Sequence, residues 1–139
     1  MSGDRAFIDT NILIYLYSED EPYKRRAAES IVNKNYCIIS TQVLNEVSNV
    51  WFVKSIWSGE KIKVHLDNIE KVCDSLILVT RSTIDDALLL KDQLGYSYYD
   101  CLILASAMES GCDFLYSEDM SDGQIVNDRL KIVNPLKHW

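Results

Sequence analysis

The sequence predicts an α/β fold, a three-layer arrangement in which a parallel sheet of about five strands is flanked by helices. Three observations carry this expectation. Short apolar runs (RAFID, YCIIS, SLILVT, CDFLYS, RLKIVNP) alternate along the chain with longer segments whose apolar residues recur at helical spacing. The short runs are mostly apolar throughout, as expected of strands buried on both faces of a sheet. The third observation is sparse punctuation: five glycines and two prolines in 139 residues, with no repeat and no low-complexity tract. The expectation is one domain over residues 1–139.

Each element follows in order. RAFID is a strand, and TNILIYLY is a helix capped by Thr10 or Asn11. EPYKRRAAESIVNKN is a second helix with Pro22 in its first turn. YCIIS is a buried strand by its length and β-branched content. Val43, Leu44, Val47, Val50 and Trp51 mark a helix from Thr41 to about Trp57. After Gly59, the residues Ile62, Leu66, Ile69 and Cys73 mark another. SLILVT is a strand, and STIDDALLLKDQLG a helix with Ser82 as cap and Gly95 as terminator. YSYYDCLILASA is the next helix, CDFLYS a strand, then a short polar segment, and RLKIVNP the final strand, ended by Pro135.

Composition narrows the function. The formal net charge of −7 argues against a protein that grips nucleic acid with a broad basic surface. It leaves room for an enzyme that meets phosphates through a bound metal. No apolar run approaches the roughly 20 residues of a membrane-spanning helix, so no membrane association is expected. The start, MSGDRAFIDT, lacks the basic and apolar regions of a signal peptide. Cys37, Cys73, Cys101 and Cys112 are widely spaced in apolar segments, which predicts reduced core thiols in a cytoplasmic protein. Lys24, Arg25 and Arg26 form a basic cluster, read as a solvated helix face.

The carboxylates carry the chemistry. Asp100 stands at the front of its helix's apolar face: at about 100° per residue, Ile103, Leu104 and Ala107 fall within roughly 60° of it. A carboxylate in that position is costly unless something pairs with it. Ligands of open α/β sheets gather beyond the carboxyl ends of the strands. Asp9 ends the first strand, Asp119 closely follows FLYS, and Glu46 lies near the start of the helix after the second strand. Asp100 opens the helix before the Asp119 strand. Singly, each has an ordinary structural explanation as a cap, a helix-dipole acid or a turn residue. No Lys or Arg lies in FIDTNILIYLY, STQVLNEVSNVW, YSYYDCLILASA or YSEDMSDG. Together the four favour a site for a hard cation, Mg²⁺ or Mn²⁺, which relieves carboxylate repulsion and suits oxygen ligands.

At these residues the sequence resembles the PIN-domain nucleases, in particular the VapC-like toxins of bacterial type II toxin–antitoxin pairs. The resemblance lies in FIDTNILIYLY with Asp9 and Asn11, ISTQVLNEVSNV with Thr41 and Glu46, YYDCLILASA with Asp100, and FLYSEDMSDGQ with Asp119. These stretches stand in family order, with the tail LKIVNP. The resemblance implies a PIN-like fold and Mg²⁺- or Mn²⁺-dependent hydrolysis of RNA. It makes Asp9, Glu46, Asp100 and Asp119 the metal-binding acids, with Asn11 and Thr41 orienting them. Asp122 either joins the site through water or caps the segment that follows it, and Glu118 is assigned to solvent. The resemblance also implies a homodimer and a cognate antitoxin that covers helical apolar surface. The second and third helices are the expected groove, with Tyr15, Tyr17, Trp51 and Trp57 nearby; each of these aromatics singly also fits an ordinary core.

Other classes fit less well. A phospho-receiver domain needs an acid pair after the first strand and a late Lys, whereas here the strand leads to Asp9-Thr10-Asn11 and FLYSEDMSDG has no Lys. A haloacid-dehalogenase-type phosphatase needs Asp-x-Asp, and Asn11 occupies its second position. A housekeeping RNA-processing nuclease and an inert interaction module of the same fold remain as alternatives.

Overall fold

The computed structural model describes residues 4–54 and 56–137. The elements are β1 (Arg5–Ile8), α1 (Thr10–Leu16), α2 (Pro22–Lys34), β2 (Tyr36–Ser40), α3 (Thr41–Val53), α4 (Gly59–Val72), β3 (Ser75–Ile77), α5 (Arg81–Leu94), α6 (Tyr98–Glu109), β4 (Phe114–Tyr116), β5 (Ile125–Val126) and β6 (Leu130–Val133). Among the described residues they form one six-stranded sheet in the order β3-β2-β1-β4-β6-β5. Five strands run parallel, as expected, and β5 is antiparallel to β6.

The sixth strand lies in the segment read as merely polar. Asn127 and Asp128, at φ 51° and 56°, fold β5 back onto β6, with Arg129 N–H donating to Val126 O at 3.2 Å. Asn and Asp tolerate this left-handed conformation, and no glycine advertises the hairpin.

Helix boundaries differ from the expectation where capping chemistry differs. Asp9, not Thr10 or Asn11, caps α1, its side chain accepting from Thr10 N. Thr80 and Thr83 form a reciprocal capping box, so α5 begins at Arg81, ahead of the expected cap Ser82. Ser97 caps α6 by accepting from Asp100 N, which puts Asp100 in the first helical turn. The helix of Thr41 ends at Val53; Ser55, in its expected last turn, lies outside the described residues.

The core explains one further departure. Ala6, Phe7 and Ile8 of β1 are fully buried, as are Cys37, Ile38 and Ile39 of β2. In α6 every residue from Cys101 to Ala107 is buried, so this helix is enclosed all round instead of on one stripe. It packs against α5 as well as β2 and β4, which is why helical periodicity alone under-read it. Trp51 is 2% exposed, its ring 4.7 Å from that of Trp57 and edge-on to Tyr17 at 6.1 Å. These rings therefore pack α1, α3 and the start of α4 together. Among the described residues no helix is long and apolar enough to cross a membrane. The four cysteines are free and buried.

One feature of the sheet positions the chemistry. From β1 the chain moves outward to β2 and β3, then returns to place β4 on the other side of β1. Strand order reverses there, and the crevice beyond the carboxyl ends of β1 and β4 is where such sheets bind ligands.

Candidate metal centre

Asp9 leaves β1 at this crevice, its N–H donating to Tyr116 O of β4 at 3.0 Å. Its side chain is held at both oxygens: Oδ1 accepts from Thr10 N at 2.7 Å and Oδ2 from the Ser117 hydroxyl at 2.9 Å. Burial pushes the Asp9 carboxyl up to about 7 despite those two hydrogen bonds, and the charges of Glu46 and Asp100 add to the rise.

The other acids reach the crevice from separate elements. Glu46 projects from α3, where Oε1 accepts a short hydrogen bond from the Thr10 hydroxyl and Oε2 accepts from Gln42 Nε2 at 3.3 Å. Asp119 follows β4, and its Oδ2 accepts from Asn11 Nδ2 at 3.0 Å. Desolvation raises the Asp119 pKa, with Glu118 and Asp100 contributing. Asp100 enters from the first turn of α6, and among the described residues none of the four acids forms an ion pair with Lys, Arg or His.

All four line one open cavity of about 280 Å³, with Thr10, Asn11 and Asn49 between them. Two larger clefts lie elsewhere. One of about 400 Å³, between α5, α6 and the β5–β6 turn, includes Arg129, and one of about 380 Å³, beside α1, α2 and α4, includes Arg25. Charge, not size, singles out the smaller cavity.

A family model for the PIN domain matches residues 6–121. The chain belongs to the PIN-domain family. Solved structures agree in fold. VapC20 of Mycobacterium tuberculosis, described as a sarcin–ricin loop cleaving toxin, is 20% identical with a TM-score of 0.64, over 82% of this chain and 89% of that one. A toxin–antitoxin complex from Klebsiella pneumoniae gives 21% identity and a TM-score of 0.67, over 94% and 97%. VapBC2 of Rickettsia felis, bound to a DNA fragment from its promoter, gives 18% and 0.66, over 94% and 99%. No curated protein matches the sequence.

The donor set of this PIN domain fits a hard divalent cation: carboxylate oxygens, no thiol or imidazole, and no competing basic side chain at the cavity. Among the described residues no three Asp, Glu, His or Cys side chains form a ready-made chelating cluster.

Three residues sit differently from the sequence expectation. Thr41 does not line the cavity; its hydroxyl accepts from Val79 N at 3.2 Å and ties the start of α3 to the end of β3. Asp122 is also outside the cavity, its Oδ1 accepting from Asn134 N at 2.8 Å. Glu118 is not left to solvent: Oε1 accepts from the Tyr15 hydroxyl at 2.6 Å, and Oε2 lies 3.8 Å from Lys24 Nζ. Lys24, its side chain still 35% exposed, also packs over the Tyr15 ring.

Sequence reasoning missed Ser117 and Gln42 and read Thr10 only as a helix cap. Gln42 stands one helical turn before Glu46, a spacing that brings an amide and a carboxylate together on one helix face. Ser117 carried no comparable signal.

Proposed function

We propose that this PIN domain is a Mg²⁺- or Mn²⁺-dependent endoribonuclease, acting as the toxin of a toxin–antitoxin pair. The observation that carries the reading is the convergence of Asp9, Glu46, Asp100 and Asp119 on one cavity, without an ion-paired cation among the described residues. Family membership supports a nuclease. The structural neighbours, a sarcin–ricin loop cleaving toxin and two toxin–antitoxin complexes, support RNA as substrate and an antitoxin as partner. The free buried thiols support a cytoplasmic setting.

In this reading the four acids hold the ion. A bound divalent cation supplies water activation and offsets charge on the phosphodiester in transition. The chain's own residues orient the ligands: Ser117 and Thr10 N hold Asp9, the Thr10 hydroxyl holds Glu46, and Asn11 holds Asp119. Asp9, whose carboxyl burial pushes up to about 7, would hold the ion as its carboxylate. The reaction would be hydrolysis, in which water adds to phosphorus as one backbone P–O bond breaks and the leaving ribose oxygen departs as a hydroxyl, with no covalent enzyme intermediate and no separate general base assigned. Thr41 and Asp122 support the site from the scaffold, and the active form is a homodimer.

The test is RNA cleavage by the purified chain with Mg²⁺ or Mn²⁺, with excess chelator, and in the Asp9→Asn and Asp100→Asn variants. Cleavage should need the metal and both acids, and should be suppressed by a small protein encoded immediately upstream. Full cleavage in chelator, or in both variants, contradicts the reading.

A further inference from the structure

We propose that Gln42 is a positioning residue for the acid site, its single amide nitrogen holding Glu46 of α3 against α6, the helix that carries Asp100. The inference rests on the metal-site reading above and deepens it. Gln42 Nε2 donates to Glu46 Oε2 at 3.3 Å and to the Tyr99 carbonyl at 3.0 Å. Tyr99 immediately precedes Asp100. One nitrogen therefore joins the wall that bears Glu46 to the wall that bears Asp100.

Chemistry fixes which way the amide faces. Both partners are acceptors, so only the –NH₂ end satisfies them, and a flipped amide would set its carbonyl against a carboxylate and a backbone oxygen. The cost shows at the other end. Gln42 is 7% exposed, and its Oε1 is buried with no hydrogen-bond partner. The buried Oε1 is left without a partner, while an apolar side chain of the same shape would take the donor away from both Glu46 Oε2 and the Tyr99 carbonyl. What the amide supplies is its two donors, and they form the fork between α3 and α6. With Thr10 holding the other oxygen, the Glu46 carboxylate is fixed at both ends.

Outer partners of metal ligands typically change metal affinity or activity by about 10- to 100-fold when removed. The test is Gln42→Met, which keeps length and loses both donors, with Gln42→Leu as a second apolar variant. Mn²⁺ alone is titrated calorimetrically into the full chain, melting is recorded in chelator, and RNA cleavage is resolved into kcat and KM. The expected result is a Mn²⁺ dissociation constant raised about 10- to 100-fold, a lowered kcat with little change in KM, and a folded chain that in chelator melts only modestly below wild type, since two acceptors lose their donor. In a Glu46→Gln background, Gln42→Met should add no further loss of Mn²⁺ affinity, because the two act as a unit.

Unchanged Mn²⁺ affinity in a folded Gln42→Met or Gln42→Leu protein overturns the proposal. Failure of both variants to fold also overturns it, since the fork would then serve the core. A wild-type chain that neither binds Mn²⁺ nor cleaves RNA overturns the nuclease reading itself, and the role of Gln42 with it.

Discussion

The hydroxyl of Ser117 donates to Asp9 Oδ2 at 2.9 Å, so the residue that follows β4 holds the acid that follows β1. Ser117 is fully buried and also accepts from Asp119 N at 3.3 Å. A single hydroxyl at the strand-order reversal therefore serves two of the four acids. Removing it leaves a buried carboxylate short of one donor, a loss of about 1–3 kcal/mol. Ser117→Ala should melt several degrees lower. The hydrogen bond lowers the Asp9 pKa, so its loss should also move the acid limb of the cleavage pH profile to higher pH. A pH profile identical to wild type would show that this contact does not tune Asp9.

The raised Asp9 pKa makes a signed prediction about stability. In the folded, metal-free chain Asp9 titrates near 7, against 3.8 for the unconstrained side chain. Between those values the folded state binds the extra proton, so stability falls as pH rises from about 4 to about 7 and levels off above. The full effect of Asp9 is on the order of 4 kcal/mol. Asp9→Asn keeps the shape without the titration, so it should flatten this slope. Denaturant unfolding of both proteins in chelator, from pH 4.5 to 8, measures the difference. Parallel slopes would contradict the assignment.

The cysteines should be inert while the chain is folded. Burial pushes the Cys37, Cys73 and Cys112 thiols up to about 12, and it raises Cys101 as well. Thiolate is the reactive form, so a thiol reagent at pH 8 should label native protein slowly and all four cysteines readily in denaturant. Rapid labelling of native protein would contradict their burial.

The acids and the sheet were legible because their signals are local. Asp9 ends an apolar run, Asp119 follows another, Asp100 stands in the first turn of α6 and Glu46 in the second turn of α3, so chain order and the strand-end rule point all four to one end of the sheet. What escaped depends on partners distant in sequence. Glu118 looks like a solvent acid until Tyr15 and Lys24 come to meet it. Thr41 stands beside the site in sequence, yet its hydroxyl is taken by Val79 N. In α6, seven consecutive buried residues mix Cys and Ser with apolar side chains, and burial from several sides erases the periodicity that marks a one-faced helix. The β5–β6 hairpin was hidden by a turn built on Asn127 and Asp128 instead of glycine.

The most direct test of the central claim, that four acids form one cation site, is the thermal melting of wild type and Asp100→Asn in Mn²⁺ and in chelator. A cation that binds only the folded chain adds about 2.7 kcal/mol at 100 times its dissociation constant. At about 2–4 °C per kcal/mol, the wild type should gain several degrees. Asp100→Asn removes one repelled charge while keeping the shape, so it should melt in chelator at or above the wild type and lose most of the Mn²⁺ shift. An Asp100→Asn protein that melts lower in chelator and gains as much from Mn²⁺ as the wild type would make Asp100 a helix-dipole acid, and would contradict the shared site.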